Sequence, residues 1–111
     1  MSGSGGGGYG GDFDGGAVAC DTLVIETQIS SPKSDVVKDL APGTVLEVVL
    51  EQQGQLTVVV LKHGERVAGG VADPNVPRLR ECISQGTQYS ATVRSVQGGL
   101  VIVRIAPVLA A

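Results

Sequence analysis

Three aromatic residues in 111 leave little from which to build an aromatic core or a base-stacking platform: the chain has one Phe, two Tyr and no Trp. Two of the three, Tyr9 and Phe13, fall in the first sixteen residues, so the rest of the chain keeps only Tyr89. Single-stranded nucleic acid is usually held on aromatic faces, and a lone tyrosine is a poor start for such a surface. Histidine is also scarce. His63 is alone, and two cysteines beside it, Cys20 and Cys82, cannot complete an ordinary structural zinc site without carboxylates or a second chain. Long apolar runs are absent, and no stretch approaches membrane-spanning length. The amino end shows neither a charged start nor an apolar run, and Ser2 stands where myristoylation needs glycine. These absences lead to the expectation of a cytoplasmic chain without membrane attachment, cofactor or metal. In such a setting its cysteines are expected to be reduced core residues.

Charge excludes a further class. The net charge is −3, and two of the acids, Asp12 and Asp14, lie near the amino end. From Ala17 onward nine acids face eight bases. Proteins that coat nucleic acid are usually basic, because phosphate neutralisation supplies most of their affinity.

What is present is unevenly placed. Residues 1–16 hold nine of the seventeen glycines. Glycine has the most backbone entropy to lose on ordering, so this segment reads as an arm without a core of its own. Ser2 to Gly8 has plain Gly/Ser linker composition, whereas Tyr9-Gly-Gly-Asp-Phe-Asp-Gly-Gly16 carries rings and charge. Rings on such an arm suit reception by a partner. The chain thus divides into an arm, 1–16, and one small domain, 17–111.

The domain reads as β-rich. Leu23–Ile29 alternates, with Leu23, Ile25 and Ile29 on one face and Glu26 and Gln28 on the other. Ser34 is placed to cap a short helix over Asp35–Leu40. Thr44–Glu51 puts Leu46, Val48 and Leu50 inward. Gln55–Lys62 is apolar on both faces, and Glu65–Gly69 is a short fourth strand after the turn His63-Gly64. Asp73 and Pro74 are placed as cap and first residue of a second helix ending at Gly86. Gln88–Val96 and Leu100–Ile105 form a hairpin about Gln97-Gly98-Gly99. Six short strands and two short helices predict a mainly β fold, a small six-stranded barrel or roll. A strand with two apolar faces in so small a domain predicts a cover: a helix, the arm or another subunit.

Motifs for chemistry are thin. His63 has Glu65 two residues on but no placed nucleophile, and reads as an exposed turn residue. Asp12-Phe-Asp14-Gly15 echoes the start of a calcium loop, yet Leu23 occupies the position of the bidentate glutamate. Gly69-Gly70 follows a strand but lacks a phosphate-loop lysine. Arg78 and Arg80 share the second helix. Arg66, Arg94 and Arg104 are assigned to outward strand positions, Arg94 and Arg104 diagonal across the hairpin, where they are candidates for a small anion site.

The order of features from Leu23 resembles the HIRAN family of small barrel domains. The likeness runs through Leu23-Val-Ile-Glu-Thr-Gln-Ile29, Val37-Lys-Asp-Leu-Ala-Pro-Gly43, Leu46-Glu-Val-Val-Leu50 and Leu61-Lys-His-Gly-Glu-Arg-Val-Ala-Gly69. It continues in Pro77-Arg-Leu79 and Tyr89-Ser-Ala-Thr-Val93 with Gly98-Gly99. In place of the family's acidic, Asn/Pro-rich segment stands the turn Glu51-Gln-Gln-Gly-Gln55. The resemblance implies a barrel and, as a function, binding of single-stranded DNA ends. Residue chemistry alone points first to a non-enzymatic interaction module or accessory subunit. Tyr9 and Phe13, with Asp12 and Asp14, would engage a partner or a neighbouring copy; inhibition of a neighbouring enzyme is a variant.

Overall fold

Alternation of apolar and polar residues makes strands that hide one face, as in Leu23–Ile29 and Thr44–Glu51, and six strands here close on themselves. The computed structural model describes residues 18–108. In it β1 (Ile25–Ser30), β2 (Val45–Gln53), β3 (Leu56–His63), β4 (Arg66–Val71), β5 (Tyr89–Gln97) and β6 (Leu100–Pro107) form one closed barrel. The order around it is β1-β4-β3-β2-β5-β6, with every pair antiparallel. The mainly β expectation therefore holds, and the strands lie close to their sequence positions.

Inward residues fill the barrel. Ile29, Leu46, Leu61, Val93, Val103 and Ile105 are almost wholly buried, as the lumen of a small barrel requires. Two short helices complete the core. The first, α1 (Ser34–Val37), follows β1 and buries Val36 and Val37; the second, α2 (Val76–Ser84), buries Leu79 and Cys82. Truncating a fully buried leucine such as Leu79 typically costs about 2–5 kcal/mol.

Both helix starts differ from the sequence expectation. Lys33, not Ser34, is the N-cap of α1: its carbonyl accepts from the N–H groups of Val36 and Val37, and no side chain caps the helix. In α2 the cap is Asn75, so Pro74 lies ahead of the helix, while Pro77 falls in the first turn as expected. Asp73 instead uses Oδ1 to accept from the Asn75 backbone N–H and from its side-chain amide. This local turn competes with direct capping. The helix stop is as expected: Gly86 has φ +103°, and the Thr87 N–H turns back to the Cys82 carbonyl.

Two irregularities set which side chains face in. Arg94 is the extra residue of a bulge between β5 and β6, since Val93 opposes Val103 while Ser95 opposes Ile102. The parity flips there, so Val93 and Val96 both turn toward the core. In β4, Leu61 opposes Gly69 and Lys62 opposes Val67, leaving Ala68 as the extra residue. Its carbonyl accepts from the Lys33 N–H that opens α1.

Candidate interaction site at the arm exit

The start of the described chain is fastened to α2. Cys20 lies in a 3-10 turn (Cys20–Thr22) and is bonded to Cys82 of α2, with their Cα atoms 5.5 Å apart. That spacing suits a disulfide. The expectation of reduced thiols is thereby overturned. Spacing of 62 positions in the sequence says nothing of proximity; the fold lays the turn over the buried face of α2. Two further bonds surround the bridge. The Tyr89 hydroxyl donates to the Cys20 carbonyl at 2.6 Å, and Arg78 donates to the Val18 carbonyl from Nε at 3.1 Å and from Nη2 at 2.9 Å. The same guanidinium pairs with Glu81 at 2.7 Å.

Burial pushes the Tyr89 phenol above its ordinary value; the Arg78 charge pulls down against it and Asp21 adds a smaller upward push. The hydroxyl is therefore held as a neutral donor, the form its bond to Cys20 needs.

Beside this anchor the barrel seam is incomplete. β2 pairs with β5 only over Val45–Glu47, although β2 continues to Gln53. A groove of about 700 Å³ follows the split. Val45–Val49 form one side, and Ile83, Gly86–Ser90 and Val108 the other. Val45 is 60 % exposed and Val108 49 %, so the groove presents apolar surface to solvent. A second depression, about 430 Å³, lies on the outer face of β3 and β4 and is lined by Val58, Val60, Val67, Gly69 and Gly70. The two-faced character of β3 is real: Val59, Val60 and Leu61 are consecutive buried residues, yet only Val59 and Leu61 belong to the core.

The predicted site residues separate into groups. Tyr9, Asp12, Phe13 and Asp14 lie outside the described residues. Arg66 pairs with Asp39 of the α1 region at 2.8 Å, and this hydrogen bond holds the Asp39 carboxyl below its usual value. Arg78 grips Val18, as above, and Arg80 donates to the Thr57 carbonyl. Arg94 and Arg104 remain, exposed, with Arg94 on its bulge and Arg104 opposite both Thr92 and Glu26. The acid beside Arg104 weakens any field for an anion, and Arg66, Arg78 and Arg80 each hold a partner on a different element. His63 is not an exposed turn residue. It ends β3, half-buried opposite Arg66, with Nδ1 unpartnered among the described residues. No group of three or more His, Cys, Asp or Glu side chains among the described residues could hold a metal ion, and no described helix is long and apolar enough to cross a membrane.

Neither the disulfide nor the grip on Val18 was legible in the sequence. Main-chain carbonyls are present in every residue, so nothing marks the one an arginine will choose. No family model, curated protein or solved structure matches the chain.

Proposed function

We propose that this protein is a non-enzymatic interaction module whose glycine-rich arm, through Tyr9 and Phe13, engages a partner or a neighbouring copy. The observation that carries this reading is the fixed departure point of the arm. A disulfide, a buried tyrosine hydroxyl and a two-pronged arginine converge on residues 18–20. Fastening the residues that follow the glycine-rich segment limits where its rings can go, and so raises their effective concentration over one part of the surface. Aromatic rings are the usual anchors of protein interfaces. Nucleic-acid end binding ranks lower, because Arg66, Arg78 and Arg80 already serve internal partners.

The disulfide also bears on the setting. Such bridges persist in oxidising surroundings, so we replace the expected cytoplasmic location with a compartment that keeps Cys20 and Cys82 joined. Thiol counting on protein denatured straight from its source tests this: no free thiol is expected, and two would reject the proposal.

The functional test compares affinity capture from the native source by the full chain and by a chain with Tyr9→Ala and Phe13→Ala. The full chain should retain a stoichiometric partner, or pair with itself, and the double variant should lose it while keeping a folded barrel. Equal capture by both would reject the arm as the binding element.

A further inference from the structure

We infer that the groove at the β2–β5 seam is the docking place of this chain's own arm, with the rings of Tyr9 and Phe13 seated against Val45, Val49, Ile83 and Val108. This deepens the proposed function and rests on its premise that the two rings are anchors.

Four observations converge. The first is where the arm begins. Val18 is held at Arg78 in the first half of α2, and the groove wall starts at Ile83 on the same helix. Five helical residues separate them, about 7.5 Å along the axis. The second is reach. Phe13 stands five residues before Val18 and Tyr9 nine, so an extended chain carries them up to about 17 Å and about 30 Å from the anchor. A groove whose lining runs from Ile83 of α2 to Val45 of β2 is what such an arm would have to cross.

The third is pattern. In an extended chain alternate residues share a face. Tyr9, Gly11 and Phe13 then face one way, while Gly10, Asp12 and Asp14 face the other. Seated with its rings down, the arm would turn both carboxylates to water and bring no charge into the groove. Gly11 between the rings adds no side chain, so the backbone can lie close to β2. The fourth is the receptor. Because β5 begins only at Tyr89 and pairs with β2 over Val45–Glu47, Val48 and Val49 have no partner strand on that side among the described residues, and an extended segment is the natural complement of such an edge. The lining sets Lys62 opposite Glu47, so a neutral, ring-bearing face of the arm suits the groove.

The chain keeping its own arm is favoured over exchange with another copy by concentration. A short tether holds a segment at millimolar effective concentration, which exceeds ordinary protein concentrations. A partner that takes Tyr9 and Phe13 would then have to draw them from the groove and would uncover Val45 and Val108.

Methyl NMR on the full chain tests this. Between the wild type and Tyr9→Ala with Phe13→Ala, shifts are expected at Val45, Val49, Ile83 and Val108, and they should be unchanged on tenfold dilution. No difference at these methyls overturns the inference, as does a difference confined to another surface. A difference that fades with dilution also overturns it and assigns the arm to a second copy. A second readout uses Val45→Glu, a change at an exposed position that the barrel tolerates. Chymotrypsin cleavage after Tyr9 and Phe13 should rise about tenfold if the arm is docked most of the time, since cleavage follows the open fraction. An unchanged rate sinks the inference. Partner capture is scored separately: if the arm still captures a partner while the groove methyls are silent, the interaction reading stands and the docking falls.

Discussion

The hydroxyl of Tyr89 donates to the main-chain carbonyl of Cys20 at 2.6 Å, joining the first residue of β5 to a turn 69 positions earlier. Tyr89→Phe keeps the ring and removes the donor, leaving the carbonyl without this partner. The expected loss is about 1–2 kcal/mol in urea unfolding. The pH dependence has a definite sign. Because the folded phenol titrates above its ordinary value of 10.0, its contribution is present below that value and is lost as pH rises toward the folded one. The wild type should lose stability above about pH 10 more steeply than Tyr89→Phe; parallel profiles would count against the bond.

Cys20→Ser with Cys82→Ser tests the bridge. Its closed loop of 62 positions corresponds to about 4 kcal/mol of unfolded-state entropy in the chain model. A fall in the urea midpoint that reducing agent reproduces in the wild type, and does not deepen in the double variant, is the expected result.

Gly69 and Gly70 make a paired comparison. A Cβ on Gly69 would overlap Ile29 Cγ2 and lie 2.8 Å from the Ser30 carbonyl oxygen, whereas on Gly70 the nearest atom is the Val59 carbonyl oxygen at 3.4 Å. Gly69→Ala should destabilise by about 1–3 kcal/mol through overpacking. Gly70→Ala should be close to neutral or mildly stabilising. Thermal unfolding of the two variants checks the order, and a reversal would contradict the packing of β4 on β1.

Asp39 and Arg66 form a half-exposed pair, and such pairs contribute little. The Asp39 carboxyl titrates below its ordinary 3.8, chiefly through the Arg66 hydrogen bond. What stability it gives is therefore present above that value and is lost as pH falls through the folded one. Asp39→Asn should flatten the acid side of the stability profile slightly and leave neutral pH almost unchanged.

β1 and β2 were readable because each carries its own alternation: Leu46, Val48 and Glu47 between them declare a face without reference to any other segment. The closing partners were not. That β1 lies between β4 and β6 depends on twist and shear, which no local pattern records. The bulge at Arg94 was hidden for a related reason, since Val93 and Val96 break alternation in a way that a loop would also produce. The α2 start was misplaced by two residues because Asp73 and Asn75 are competing cap signals, each with a proline close behind it. Of the candidate site, the arm announced itself by composition. Its anchor did not, being made of a cysteine pair, a tyrosine and an arginine scattered from Cys20 to Tyr89.

The position of β1 has a consequence for biosynthesis. It finds only two paired residues on β4 but four on β6, so the first strand translated waits for the last. Until Leu100–Pro107 has left the ribosome, the Ile25 end of the β1 stripe lacks its partner Ile105, while Ile29 already has β4 to lie against. A nascent chain halted before β6 would expose that end of the stripe to chaperones, and the barrel's completion is tied to release of nearly the whole domain.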